Sequence, residues 1–457
     1  MNPFKRVRYS NFNILARVLL SYCIFILLVY FLNRNNGRLN SFLVVNFSAL
    51  VALAVLSFNL RKQFGFNVMQ SVFIGYFIKL LIGYLFWKFY LFPDYFSNPI
   101  SIFKFGHSEY LYTEYLMKTM AIERLAEGLL YFSPQTLLTK HMAIHYLMSN
   151  LYLSGSFNPF DLATQNILFS SYTALIILAI SKRLGATHRQ MKFALVIAIY
   201  QPVSMISTII WRDVVGQFFI ALGGYFTLMA LNKKLRIAIL LLLIGATSML
   251  MLRSIYFFFP FLAYSINLIA KSKNKYNLLF IPVLIAVVQY LSSIFTITDG
   301  LETYGSQLTS LSLWIFLPLN IGRLFVGPFP WTQWFKFNDY TILQIADYFQ
   351  SVITISLVIL CIKGLRKKRL LTAPGYPGAL LLLFLFIPFI FVALSTTDIH
   401  QLYMTTGVIF LIPSVILSTT YYDYNRLNLI VFFLFICANL IFLLLGLSGQ
   451  GAGALFR

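Results

Sequence analysis

The chain has 457 residues, of which 59% are hydrophobic, 18% aromatic and only 11% charged, against roughly 25% charged in an average soluble protein. This composition excludes both a soluble globular domain and a disordered chain, because burying so much apolar surface offsets the entropy of ordering. The formal net charge of +22, from 35 Lys and Arg against 13 Asp and Glu, points either to a polyanion such as nucleic acid or to the charge asymmetry of a membrane protein.

A hydrocarbon core of about 30 Å takes roughly 20 residues of helix. Apolar runs near that length predict about thirteen spans, at 18–33, 41–59, 68–92, 164–181, 193–210, 214–231, 237–252, 254–270, 276–297, 346–362, 378–396, 402–420 and 427–446. Lys5, Arg6 and Arg8 form a basic leader like that of a signal peptide. No small-residue cleavage site follows, so the first run reads as a retained anchor. The expected fold class is an all-α polytopic membrane protein, one transmembrane domain over 1–457 with two long loops at 93–163 and 298–345. Cys23, Cys361 and Cys437 lie in or beside apolar runs and offer neither a disulfide framework nor a metal-type spacing.

Cytoplasmic connections carry the excess of Lys and Arg. Scored alternately, the N-terminus and the connections near 61–62, 182–192, 233–236, 271–275, 363–369 and 426 hold 22 of the 35 basic residues. This places the N-terminus in the cytoplasm and both long loops outside, with a bacterial plasma membrane as the expected location. Most of the +22 is then orientation, and no nucleic-acid partner is needed. Twelve of the thirteen acids, all but Asp423, fall outside or at outer helix ends, with four of the five histidines and all five tryptophans. Longer loops collect polar residues in any case, but an active site belongs on that side. No Asp, Glu or His sits mid-span, which weighs against proton-driven transport, and no internal repeat is visible. Lys79, in the middle of the third run, is a functional candidate because an unpaired charge there is costly, unless it snorkels to an interface.

In the first long loop Leu111, Tyr115, Ile122, Leu125 and Leu129 recur at helical spacing, with Glu109, Glu114, Glu123, Arg124 and Glu127 between them. The pattern predicts an interfacial helix, and a second apolar segment, 136–153, follows Pro134. His141 and His145 share a helical face, but no HExxH or third ligand accompanies them, so no metal site is assigned. Gly106-His107-Ser108-Glu109-Tyr110 places an imidazole and a carboxylate at a helix start. Glu109 there is either a general base or an acid favoured by the helix N-terminus. Arg212, between Trp211 and Asp213, Arg253 and Arg323 are scarce outer arginines. A guanidinium binds phosphate oxygens bidentately, so these three, with Lys79, are candidates for holding a lipid phosphate; headgroup anchoring is the alternative for each. Trp211 and Trp331, the latter in the rigid turn Gly327-Pro328-Phe329-Pro330-Trp331, and His400 are candidate sugar contacts.

The order of these features resembles the multi-spanning glycosyltransferases of the GT-C superclass and the related Wzy-like polymerases of bacterial surface polysaccharides. Ser108-Glu109-Tyr110 in a helical outer loop, Gln201-Pro202 through Trp211-Arg212-Asp213 with Leu252-Arg253, and Gly327 to Trp331 carry the likeness, which covers about 93–334. Ser108 stands where the acidic pair of that class has its first member, and two extra spans precede the loop, so Asp94 and Asp213 are substitutes for Glu109 as the base. The resemblance implies inverting transfer of a sugar or oligosaccharide from a polyprenyl phosphate or diphosphate donor to a glycan or lipid-linked acceptor. It implies no certain cofactor; a divalent metal at the departing phosphate stays open. A lipid-linked-sugar flippase is the alternative. A membrane acyltransferase fits less well, for want of an intramembrane histidine.

Overall fold

The computed structural model describes residues 12–36, 41–86, 121–128, 142–155, 159–183, 186–201, 207, 212–231, 233–251, 257–271, 349, 352–353, 356 and 424–447. The ninth, eleventh and twelfth predicted spans, most of the tenth and the whole second long loop lie outside the described residues. Among the described residues there is no strand. The helices are α1 (Phe12–Asn36), α2 (Ser41–Phe64), α3 (Phe66–Phe86), α4 (121–127), α5 (Met142–Leu153), α6 (Pro159–Arg183), α7 (His188–Tyr200), α8 (Arg212–Ala230), α9 (Leu235–Leu250), α10 (Phe259–Lys271) and α11 (Tyr424–Leu447).

Three stretches, Ile14–Arg34, Leu43–Arg61 and Asp161–Arg183, are long and apolar enough to cross a membrane. Their burial runs opposite to their hydropathy. The first, the most apolar, is 28% buried; the second is 50% buried; the third, the least apolar, is 94% buried. In lipid the outward surface must be apolar while polar groups need protein partners, so the helix with the most polar residues takes the centre. That helix, α6, packs against α1, α2, α3, α5, α7 and α8.

Hydrogen bonds set the direction of each neighbour. Arg17 on α1 donates to the Asn59 carbonyl on α2 at 2.6 Å, and Ser21 donates to the Ala52 carbonyl at 2.8 Å, so α1 and α2 form an antiparallel hairpin. Gly65, at φ 95°, turns the chain from α2 into α3, its N–H bonded to the Arg61 carbonyl. A side chain would strain this left-handed conformation. Lys182 at the end of α6 donates to the Gln63 carbonyl at the end of α2, while Thr164 near its start donates to Asn46 near the start of α2 at 3.0 Å. Thus α1, α3 and α7 begin, and α2, α6 and α8 finish, at one end of the bundle, where Arg17, Arg61, Lys182, Arg183 and Arg189 gather. This is the alternation of basic connections read from the sequence; on which side of a membrane that end lies is a matter of the orientation rule alone.

The fifth predicted span differs from its helix. Apolar residues run through 193–210, yet α7 covers His188–Tyr200. Its start is moved back by a capping box, with Thr187 and Gln190 exchanging hydrogen bonds between side chain and backbone, a feature hydropathy does not register. Its end is set by Pro202, which disfavours the helical conformation for the residue before it; Gln201 is extended at φ −61°, ψ 140°. Helices α8 and α9 cross in near backbone contact. A Cβ on Gly223 would stand 2.9 Å from the Gly245 carbonyl and 2.5 Å from the Met249 side chain, a small-residue contact of the kind that joins helices where no hydrophobic drive exists between them. Gly223→Val is expected to destabilise this hairpin by about 1–3 kcal/mol, read as a lowered melting temperature of the detergent-purified protein beside an exposed control, Leu240→Val.

Candidate functional site

The first half of α6 carries Asp161, Thr164, Gln165, Asn166, Ser170, Ser171, Tyr172 and Thr173. All are buried except the partly exposed Ser170. Ser171 and Thr173 return their hydroxyls to their own helix, at the Ile167 and Phe169 carbonyls, which conceals them. The others reach out to different neighbours. Tyr172 and Ser21 share a hydrogen bond of 2.9 Å, and Ser170 accepts one of 2.7 Å from Lys79 on α3.

Lys79 is 1% exposed, so it does not snorkel. Among the described residues it pairs with no carboxylate. Tyr76, one turn earlier on α3, is also fully buried, and its hydroxyl has no partner among the described residues. A charge in such a place is costly unless other groups or a bound anion compensate it.

A second cation enters from the first long loop. On α4 Ile122 and Leu125 are exposed, whereas Arg124 on the opposite face is 4% exposed. The apolar face of the predicted interfacial helix therefore turns away from the protein and its arginine turns in. The guanidinium lies over the Tyr146 ring, 3.8 Å from its centre, and donates to Ser149 at 2.7 Å and to Asn150 at 2.6 Å. Burial holds Arg124 below its ordinary pKa, with the Tyr146 and Tyr22 hydroxyls opposing that shift. Its partners sit on α5, where Leu147, Met148, Ser149 and Leu151 are buried, so this second loop helix is packed into the bundle. Asn33 near the end of α1 donates to the Ser154 carbonyl at 3.3 Å.

From Arg124 a one-way series of donors crosses four helices. Arg124 donates to Asn150, Asn150 to the Tyr22 hydroxyl at 3.5 Å, and Tyr22 to the Gln165 side-chain oxygen at 3.1 Å. The Gln165 amide nitrogen, fully buried, is left without a partner among the described residues. Asp161 lies one turn above Gln165 in the first turn of α6 and is itself fully buried, where the helix N-terminus favours a carboxylate. Among the described residues, the half of the bundle away from the basic end thus holds two buried cations, an amide donor with unused capacity and one buried acid.

Of the residues singled out from sequence, Lys79 belongs to this cluster. Arg212 and Asp213 are the first two residues of α8. That helix runs parallel to α6, with Phe218 edge-to-face against Phe169 at 5.2 Å and, further along both helices, Tyr225 near Arg183, so they start at the same end as Asp161. Asp94, His107, Glu109, Trp211, Arg253, Arg323, Trp331 and His400 lie outside the described residues. Sequence reasoning missed Arg124, Asp161 and Gln165. Among the described residues no three His, Cys, Asp or Glu side chains come together as metal ligands would. No family model, curated protein or solved structure matches the chain.

Removing Arg124 would strand Asn150, Ser149 and the Tyr146 ring face. Arg124→Ala is expected to cost about 2–4 kcal/mol, and Tyr22→Phe about 1–2 kcal/mol, since it loses two long, neutral links, from Asn150 and to Gln165. Thermal unfolding in detergent checks both; equal effects would break the ranking of the charged link over the neutral ones.

Proposed function

We propose that this protein is a membrane glycosyltransferase or repeat-unit polymerase. It would transfer a sugar or oligosaccharide from a polyprenyl phosphate or diphosphate to a glycan or lipid-linked acceptor on the extracytoplasmic face of a bacterial plasma membrane, in the assembly of surface polysaccharide. The observation that carries this reading is the pair of buried donors beside and on α6, the Lys79 ammonium and the Gln165 amide. Lys79 has no carboxylate beside it among the described residues, and the Gln165 amide nitrogen has no acceptor there. Such a site suits an anionic, oxygen-rich ligand, which a lipid-linked sugar phosphate is.

In this reading a carboxylate takes the acceptor hydroxyl proton as the oxygen attacks the anomeric carbon. The bond from that carbon to the phosphate oxygen breaks, and its electron pair leaves with the phosphate. Glu109 beside His107 is the base, with Asp94 and Asp213 as substitutes. Arg212, Arg253, Arg323 and Lys79 stabilise the departing phosphate; Trp211, Trp331 and His400 contact the sugar. Asp161 joins the candidate acids because of its burial.

The second reading, a flippase for lipid-linked sugars, draws on the depth of Lys79 inside the bundle rather than at its surface. The two differ in needing a base. With purified protein, a radiolabelled lipid-linked glycan and a lipid-linked acceptor, a transferase is expected to lose about 10²–10⁴-fold in rate in one of Glu109→Gln, Asp94→Asn, Asp213→Asn or Asp161→Asn. Lys79→Met is expected to lose about 10- to 100-fold through one charge-assisted contact. Undiminished transfer in all four acid variants would sink the assignment of the base. No transfer by the unaltered protein, with movement of the donor across vesicle bilayers, would establish the flippase instead.

A further inference from the structure

At the basic end of the bundle, α2 and α3 diverge from the Gly65 turn and leave an open groove of about 270 Å³ between them. This is several times the roughly 30 Å³ that a water molecule occupies in the liquid. Its walls are apolar, from Ala54 and Phe58 on α2 and Met69 and Phe73 on α3. Ala54 is exposed, and its small side chain is one reason the space exists.

Three polar residues interrupt these walls, Arg61 and Ser57 on α2 and the exposed Gln70 on α3. Arg61 stands at the mouth with its guanidinium 3.8 Å from the centre of the Phe58 ring. Among the described residues that guanidinium makes no hydrogen bond, so the ring fixes its position while its N–H groups stay available. One turn further along the helix is Ser57. Several other helix serines, Ser48, Ser71, Ser171 and Ser181, return their hydroxyl to the carbonyl four residues back. The Ser57 hydroxyl does not; it is shielded from solvent with no partner among the described residues.

We propose that this groove binds one anionic phospholipid of the leaflet at the basic end. The headgroup phosphate meets Arg61. The glycerol ester oxygens, one helical turn or about 5 Å deeper, meet the Ser57 hydroxyl, and an acyl chain fills the wall between Ala54, Met69 and Phe73. Charge decides between lipids. The neighbouring groups at this end, Arg17, Lys182 and Arg189, are all cationic, so a net negative headgroup gains from each and a zwitterionic one far less. The site is remote from the buried donors around α6 and stands whether or not the transferase reading does.

Native mass spectrometry of the full-length protein in mild detergent, titrated with dioleoyl phosphatidylglycerol or phosphatidylcholine, tests this. The unaltered protein is expected to retain one tightly held phosphatidylglycerol. Arg61→Gln should weaken it about fivefold, the effect of one basic side chain at a membrane surface. Ala54→Phe, which fills the groove and leaves every charge in place, should abolish it. Arg236→Gln, an exposed basic residue on α9 at the same end, should not change it. Arg61 and Ala54 are both exposed, and circular dichroism confirms that the variants are folded. Equal retention by the unaltered protein and Ala54→Phe, or phosphatidylcholine held as tightly as phosphatidylglycerol, would overturn the proposal.

Discussion

The structure depends on the burial of α6. A helix carrying Asp161, Thr164, Gln165, Asn166, Ser170 and Tyr172 cannot face hydrocarbon, where each unsatisfied polar group costs several kcal/mol. Its neighbours must therefore surround it and present matching groups. Asn46 on α2, Ser21 and Tyr22 on α1 and Lys79 on α3 do so, each at the level of its partner on α6. Because these partners are spread over three helices, they also fix how far each helix slides along α6. The apolar contacts alone would leave that register loosely determined, since a Leu finds another Leu equally well a turn away.

The same constraint explains the exposed surface. Phe31, Leu43, Phe47, Phe58 and Leu235 all stand more than half exposed, a distribution that would aggregate in water but meets lipid without cost. Large apolar groups are abundant on both sides of the helices, so they do not by themselves tell inside from outside. Polar residues do. The short α5, drawn into the bundle by Ser149, Asn150 and Ser154, belongs to the interior on that ground, whereas α4 lies at the edge and turns only Ala121 and Arg124 inward.

Much of the fold was legible. Apolar run length located α1, α2, α3, α6, α8, α9 and α11 to within several residues, and the alternation of Lys and Arg agrees with the end of the bundle at which those residues meet. Hydropathy starts the fourth span at 164, because Asp161 lowers the local value, whereas α6 begins at Pro159. Yet Asp161 is fully buried, and the polar residues that weaken a span by hydropathy are the ones that mark it as central. Lys79 was found by its mid-span position. Arg124 was not, because it stood among Glu114, Glu123 and Glu127 as one more loop charge. Its signal was its place opposite Ile122 and Leu125: once those two face lipid, the residue on the other side of the helix must face protein.

The sequence by itself determined the class of the molecule: helical and strongly apolar, with its basic residues concentrated in alternate connections. These follow from solvation, which acts on each residue according to its own chemistry. Only the tertiary structure decided which polar residues share an interior. Arg124, Asn150, Tyr22 and Gln165 are up to 143 residues apart in the chain, and their meeting depends on which helices pack together and at what rotation. No local propensity encodes that. It is set jointly, by the need of most buried donors and acceptors to find partners at once.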